Sequence, residues 1–283
     1  MPISPNSSKG HVYFNISFNR SKVLAIYGNG GEDYMTRSAE EGHCQYMIRV
    51  GEPVGQFYGF QYDGIYTTDD FNQNPDGTYS LKPGVPYDSN RKPSSIKPGD
   101  FKLKPQTDAK DEAGTPTFNS TKNDDKVVIG NAMPLFTGGM TNTFTWKGFD
   151  LTVFMNFSYG NKVFNMSTQR FIGPYLPNQT MLSTMAKRFT LIDPATGKET
   201  TNLARLAEIN PNQYDADEMW SLNSDNKLAI TCPMDKYVED GSFLRLNTIT
   251  LGYTLPKQLT RKAHIENLRF YCTLNNIHTF TKY

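Results

Sequence analysis

The sequence has no long apolar run, no excess of charge of either sign and few cysteines. No stretch approaches the roughly 20 apolar residues that a membrane helix requires, so no transmembrane helix is predicted. The 29 Lys and Arg residues nearly balance the 28 Asp and Glu residues, which argues against a nucleic-acid partner. The opening residues, MPISP, have neither the basic start nor the apolar segment of a signal peptide, and none is predicted.

Catalytic and metal-binding patterns are also missing. The cysteines and histidines lack the spacing of metal or redox sites, and there is no Gly-x-Ser-x-Gly nucleophile elbow. The residues concerned are Cys44, Cys232, Cys272, His11, His43, His264 and His278. We therefore predict that the protein is not an enzyme and has no cofactor, with no catalytic, cofactor-binding or metal-binding residue. No substrate-binding residue is assigned from the sequence.

Two polar segments have a partial likeness to ligand-binding loops. The GNGG run at 28–31 is like a phosphate loop, but the following residues have no apolar helical face, so a surface loop is predicted. Acidic residues cluster at 108–112 and at 124–125. Neither cluster has the alternate oxygen ligands and closing glutamate of a calcium loop, so solvated charge is predicted at both.

Strict period-two alternation is the strongest pattern that the sequence does contain. At 149–159 every odd position is large and apolar, while the even positions are mostly polar. The segment 136–146 alternates in the same way, with threonines on one face. The Lys-Gly pair at 147–148 indicates a tight hairpin between them. Gly138 and Gly139, inside the first strand, indicate a bulge or a close backbone approach.

The length of these segments fits a membrane strand. A tilted transmembrane strand needs roughly 9–11 residues, and only one of its faces has to be apolar. The mean hydropathy of -0.56 is therefore compatible with a membrane barrel. Shorter or less regular alternation predicts further strands at 12–18, 46–50, 57–66, 249–255 and 268–274.

The connections between these strands are very unequal in length. Two residues join 136–146 to 149–159, whereas long polar segments occupy 67–135 and 160–242. Short turns at one end and long loops at the other are typical of outer-membrane barrels. A large soluble β-sandwich is the alternative, but it would normally have turn signals every 8–12 residues. Within the long segments, 83–124 is predicted to be irregular, 181–189 to form a short helix, and 190–235 to be turn-like.

Four groups of motifs also have a family likeness. They are GEPVGQFYGF at 51–60 with DGIY at 63–66; PGDFK at 98–102 with VIGNAMP at 128–134; WKGFDL at 146–151; and YVEDGSFLRL at 237–246 with TLGYTLP at 250–256 and NNIHTFT at 275–281. In order and spacing the chain resembles the C-terminal half of the barrel in SusC/RagA-type TonB-dependent transporters. The resemblance covers most of the chain. It departs from the family at 103–127, where a calcium-loop-like run often found in members is missing, so no metal is predicted.

The resemblance implies a fold class and a location. The fold would be all-β, a partial transmembrane antiparallel β-barrel with about seven strands of a 22-stranded barrel and long extracellular loops. Residues 1–283 would form the C-terminal part of the receptor barrel in the bacterial outer membrane, without the plug domain and signal peptide. Because open edges are not tolerated in lipid, a gene fragment is expected.

The resemblance also implies a function and partners. The intact protein would import an oligosaccharide or a peptide, with a SusD-like surface lipoprotein, TonB-ExbB-ExbD and outer-membrane lipid as partners. Loop aromatic residues such as Tyr175, Tyr214 and Trp220 would then either stack on sugars or serve in ordinary packing. The alternatives are a soluble or surface-exposed β-rich binding or adhesion module and a siderophore-type TonB-dependent receptor.

Overall fold

A computed structural model describes residues 8–26, 34–35, 45–172, 180–215, 218–222 and 232–283. The strands are β1 (Lys9–Ser17), β2 (Tyr34–Met35), β3 (Gln45–Ile48), β4 (Gln56–Gly59), β5 (Tyr62–Ile65), β6 (Phe71–Gln73), β7 (Tyr79–Leu81), β8 (Tyr87–Asp88), β9 (Phe101–Leu103), β10 (Thr117–Phe118), β11 (Val127–Asn131), β12 (Phe136–Trp146), β13 (Phe149–Tyr159), β14 (Lys162–Phe164), β15 (Ile192–Asp193), β16 (Lys198–Glu199), β17 (Val238–Asp240), β18 (Phe243–Thr254) and β19 (Arg269–Thr281). The helices are α1 (Met166–Phe171), α2 (Leu203–Ile209) and α3 (Lys257–Thr260).

The chain divides into two compact units. The first, which we call the strand unit, contains Met1–Ser21, Ala132–Val163 and Asp240–Tyr283. The second, which we call the loop unit, contains Lys22–Asn131 and Phe164–Glu239. The loop unit thus contains most of the two long segments between predicted strands, together with residues 22–66, so the strands predicted at 46–50 and 57–66 fall in the loop unit and not in the large sheet.

The strand unit is one antiparallel sheet in the order β1-β12-β13-β18-β19. The strands predicted at 136–146 and 149–159 are confirmed at both ends, and β1 confirms the strand predicted at 12–18 to within a few residues. The two-residue hairpin is confirmed as well. Lys147 and Gly148 both have positive φ, 46° and 87°, as the favoured tight hairpin turns require.

Gly138 provides a close backbone approach, not a bulge. The register of β12 is continuous against both neighbours. A Cβ at Gly138 would collide with the backbone oxygen of Asn15 and would lie 2.5 Å from the ring of Phe157. The glycine therefore leaves room for the Phe157 ring on the same face of the sheet.

β18 and β19 are longer than the alternation predicted, because an irregularity at Asn247 interrupts the period. Leu246 and Thr248 of β18 pair with His278 and Asn275 of β19, so two residues of β19 lie opposite Asn247 alone. Opposite β13, Phe154 and Met155 pair with Thr248 and Leu246, so Asn247 is an extra residue of β18 there. This β-bulge changes which positions of β18 share a face. The sequence pattern therefore indicated a strand only from 249 onwards.

The loop unit consists of short strands and helices around its own hydrophobic core. The strand predicted at 57–66 is wrong in detail, since β4 and β5 are separate and pair with different partners. The helix predicted at 181–189 is a 3₁₀-helix over Ser183–Lys187. Short strands within 83–124, and α2, β15 and β16 within 190–235, correct the prediction that these segments are irregular or turn-like. The residues at the centre of this core are Phe60, Phe101, Leu103, Phe189, Leu206, Trp220, Met234 and Tyr237.

Candidate functional site

The two faces of the strand unit differ in chemistry across all five strands. The register places Phe14, Met140, Met155 and Leu246 in one row, and neighbouring rows on that face are likewise mainly apolar. Among the described residues of the strand unit, none forms a second layer over these side chains, and Phe14 is 60% exposed. An apolar sheet face of this kind, without a core to cover it, is what a lipid-facing surface requires.

Aromatic side chains border this apolar face at both ends. At the hairpin end Trp146, Phe149, Tyr253 and Phe270 lie side by side in one row, and the Phe149 and Tyr253 ring centroids are 4.4 Å apart. At the opposite end the Phe136 and Tyr159 rings stack at 5.0 Å, with Phe18 at 5.9 Å from Phe136; these three residues form the second border. Transmembrane barrels carry such aromatic girdles at both membrane interfaces.

The opposite face of the sheet is mainly polar. Thr143, Thr152, Thr250 and Thr273 lie directly opposite one another on four consecutive strands. The hydroxyls of Thr250 and Thr273 are 3.1 Å apart and form a hydrogen bond. A face of hydroxyl and amide groups suits the water-filled or plugged interior of a large barrel.

One ion pair on the polar face bridges two strands across a third. Arg269 of β19 donates from Nε and Nη2 to the carboxylate of Asp150 on β13, at 3.1 Å and 2.5 Å. Between them lies Gly252 of β18, where a Cβ would be only 2.5 Å from Arg269 Nη2. The glycine thus leaves the space that the side chain of Arg269 occupies.

The PGDFK motif organises part of the loop unit. Gly99 has φ +83°, and a Cβ there would be 2.5 Å from the ring of Phe189. Asp100 is fully buried and accepts hydrogen bonds from Arg91 Nη2 at 2.7 Å and from the Lys97 backbone N–H at 3.1 Å. A buried carboxylate is stable when it is paired in this way, so the motif has a structural role.

The segment 103–127 is held by its own carboxylates. Asp125 is 2% exposed and accepts the backbone N–H groups of Gln106 at 2.9 Å and of Asn119 at 2.8 Å. Asp111 accepts the Thr115 N–H at 2.8 Å, and this hydrogen bond lowers the pKa of its carboxyl. The prediction of solvated charge is therefore wrong for Asp125. Charged carboxylates that accept backbone N–H groups can order a loop in the way a metal would.

The three loop aromatic residues considered as possible sugar contacts have different outcomes in the structure. Trp220 is fully buried, and its indole N–H donates to the Ile172 carbonyl at 3.0 Å, so it is a core residue and not a stacking platform. Tyr214 is 63% exposed and donates its hydroxyl to Asp69 at 2.7 Å. Tyr175 lies outside the described residues, as do Cys44, His43 and the 28–31 segment.

A cavity of about 250 Å³ lies within the loop unit, and we call it the Arg188 pocket. Its lining residues are Lys97, Arg188, Phe189, Thr190, Leu191, Ile192, Glu199, Ser221 and Leu222. Lys97 Nζ is 3.2 Å from Glu199 Oε1. The residues come from segments far apart in the sequence, so no motif or spacing predicted this pocket.

The remaining sequence-level candidates are dispersed. His11 is on β1 and His278 is on β19, at opposite edges of the sheet. Cys232 is buried in the loop unit, and Cys272 lies on the apolar face of the strand unit. Among the described residues there is no group of three His, Cys, Asp or Glu side chains that could hold a metal ion. No helix in the described ranges is long and apolar enough to cross a membrane.

Comparison with known proteins gives these observations a family context. No family profile matches the chain. Over 273 residues, covering 95% of the chain, it is 26% identical to TonB-dependent receptor P3 of Formosa agariphila. TonB-dependent receptor P39 of the same organism is 23% identical over 295 residues. The chain is homologous to TonB-dependent receptors. It spans 22% and 24% of the lengths of these two relatives.

Solved structures agree with this relationship at the level of fold. The RagAB peptide importer in its closed-closed state matches 100% of the chain and 25% of its own chain, with a TM-score of 0.59 and 17% identity. The open-open state matches 98% of the chain with a TM-score of 0.56. These comparisons confirm three predictions for the chain: the SusC/RagA-type resemblance, the all-β barrel fold class and the bacterial outer-membrane location.

Proposed function

We propose that the chain forms part of a TonB-dependent importer that takes up an oligosaccharide or a peptide. In this proposal residues 1–283 belong to the C-terminal part of the receptor barrel. The observation that carries the proposal is the two-faced sheet, with its uncovered apolar face between two aromatic borders and its polar opposite face. A sheet with these faces suits a barrel wall between lipid and a polar lumen.

The partners follow from the same proposal. A SusD-like surface lipoprotein would cap the barrel on the outside, and TonB, with ExbB and ExbD, would supply energy from the inner membrane. The name of the RagAB peptide importer supports both a two-component assembly and a peptide substrate for that relative. The relatives named above are receptors and an importer, and import needs no covalent step, so we propose no catalytic residue.

The first test concerns the membrane. The receptor that contains this chain should be recovered in the outer-membrane fraction and should need detergent to remain monodisperse. Recovery as a monodisperse protein in detergent-free buffer would contradict the proposal and favour the soluble adhesion or binding module.

The second test concerns import. Deletion of the reading frame that encodes this chain should abolish growth on at least one oligosaccharide or peptide mixture, and deletion of TonB should do the same. A lipoprotein should co-purify with the receptor from detergent extracts. Iron-limited growth as the sole defect, without a lipoprotein partner, would instead indicate a siderophore receptor.

A further inference from the structure

The Arg188 pocket is too small for a whole oligomer but large enough for the end of one. Binding sites for complete small molecules have volumes of about 300–1,000 Å³. The pocket, at about 250 Å³, is slightly below that range. It therefore suits one terminal unit of a longer ligand, or a single side chain with the group attached to it.

Phe189, one of the residues that line the pocket, is held in place by the surrounding loop unit. Phe189 is 1% exposed, and its backbone N–H donates to the Met219 carbonyl at 2.8 Å. Its ring lies against Gly99, where no larger residue would fit. Because Phe189 is fixed by a backbone hydrogen bond and close packing, it needs little further ordering when a ligand binds.

Arg188 brings a guanidinium group to the wall of this pocket with most of its donors uncommitted. Arg188 Nη1 donates to the Met185 carbonyl at 3.1 Å, which fixes the direction of the side chain. In the described part of the chain no carboxylate forms an ion pair with it. A guanidinium has five N–H donors in a planar fork, which matches the two oxygens of a carboxylate.

Lys97 is a second cation at the pocket, and it forms an ion pair with the carboxylate of Glu199. Its Nζ is 3.2 Å from Glu199 Oε1, and both side chains are partly exposed at the pocket. Two cations against one carboxylate leave the pocket with a net positive charge. Glu199 holds Lys97 in place but also competes for it, so an incoming carboxylate would share Lys97 with Glu199.

From this geometry we infer that the Arg188 pocket binds the carboxylate end group of the imported oligomer, with Arg188 as the principal ligand and the apolar lining residues in contact with the attached unit. This inference deepens the proposed import function and rests on it. The carboxylate chemistry is shared by peptide C-termini and by uronic-acid sugars, so the experiment has one arm for each.

The experiment uses the purified intact receptor that contains this chain, in detergent micelles, and isothermal titration calorimetry. The peptide arm compares N-acetylphenylalanine with its amide, and the sugar arm compares glucuronate with glucose. In at least one arm, the acid should bind about tenfold more tightly than the neutral partner, as expected for a charge-assisted hydrogen bond. The arm that shows the preference identifies the source of the carboxylate.

Substitutions of Arg188 and of Glu199 should change the affinity for the acid probe in opposite directions. Arg188→Gln should remove the preference for the acid, and circular dichroism should show that this variant is as folded as the parent protein. Arg188→Lys should retain only part of the preference, because an ammonium lacks the planar fork. Glu199→Gln should tighten binding of the acid, since Lys97 is then released. Lys92→Gln removes an exposed lysine outside the pocket and should change neither affinity.

The inference fails if both arms show equal affinity for acid and neutral probes, or if the preference survives Arg188→Gln. An importer that transports its oligomer without any acid preference would overturn this inference alone. A receptor that binds the acid through Arg188 but supports no TonB-dependent uptake would contradict the import proposal and leave the pocket assignment standing.

Discussion

The strand unit and the loop unit use aromatic and apolar residues in opposite ways. In the strand unit Trp146 is 54% exposed on an uncovered face, whereas in the loop unit Trp220 is fully buried and hydrogen-bonded. The five long strands of the strand unit pair through the ladder of one sheet. The loop unit combines short strands, 3₁₀-turns and buried carboxylates such as Asp100.

The difference shows what each unit needs from its surroundings. The apolar face of the strand unit lacks a protein core, so lipid or detergent has to cover it. The loop unit buries its own apolar side chains and therefore resembles a small water-soluble domain. Removing a large aromatic side chain should therefore destabilise the loop unit but not the strand unit, and this difference can be tested.

The largest expected effect is that of Trp220→Ala in the loop unit. The change removes a buried indole and leaves the Ile172 carbonyl without its donor, which should cost about 3–5 kcal/mol. Limited proteolysis of the receptor in detergent should then cleave within the loop unit while the β-sheet circular dichroism persists. The matched Trp146→Ala variant should remain as resistant as the parent protein. Equal sensitivity of both variants would contradict the distinction between the units.

A charge on the apolar face should have the next largest effect. Val153→Arg places a guanidinium in the middle of β13 on the face assigned to lipid, which should cost about 2–4 kcal/mol of folding stability in a bilayer. Urea unfolding of the receptor in lipid vesicles measures this cost. Thr152→Arg, one position earlier on the polar face, is the control and should cost much less. If the two costs were reversed, the face assignment would be wrong.

Alternation predicted the strand unit well because its pattern is local. Each membrane strand needs only its own residues to alternate, so β12 and β13 were located to the residue. The pattern failed at Asn247, where the extra residue changes the parity and hides the first part of β18. A polar Asn-Asn pair at 275–276, which is typical of turns, similarly hid the second part of β19.

The loop unit was poorly predicted because its structure depends on contacts between distant residues. Trp220 donates to Ile172, and Gly99 packs against Phe189, across long stretches of sequence. Its strands are only two to five residues long, too short for a period to be recognised. The Arg188 pocket has the same origin, since Lys97 and Arg188 meet only through the tertiary fold. The motif at 98–102 contributed only to the family resemblance, and its structural role was not predicted.

The stability of the loop unit should depend on pH through the carboxyl group of Glu218. Burial, with a smaller effect from the Asp215 carboxylate, raises the pKa of Glu218 to about 7 from its ordinary 4.5, while Lys187 acts in the opposite direction. Between these two values the folded state holds a proton that the unfolded state releases. Stability should therefore be fully present at low pH and fall as the pH rises from about 4.5 through 7.

Hydrogen exchange of α2, corrected for intrinsic rates, can follow this dependence in the intact receptor. Glu218→Gln should remove the decrease and make the loop unit more stable at pH 8 than the parent protein. Glu112→Gln, at an exposed position, should leave the pH profile unchanged. A profile that rises with pH, or that survives Glu218→Gln, would assign the titration to another group.

The smallest expected effect concerns the ion pair that crosses β18. In Gly252→Ala the new methyl group would lie 2.5 Å from Arg269 Nη2 and 2.6 Å from Asp150 Oδ1, so the ion pair must shift or separate. Because Arg269 is 42% exposed, solvent screens the pair and the loss of stability should be small. Gly10→Ala, where the nearest atom is 3.4 Å away, is the control and should cost less.

Urea unfolding of Gly252→Ala, Arg269→Gln and the double variant tests the cause of this loss. If the glycine is needed to leave space for the arginine, the costs of the two single substitutions should not add in the double variant. Additive costs would mean that Gly252 acts on the strand independently of the ion pair.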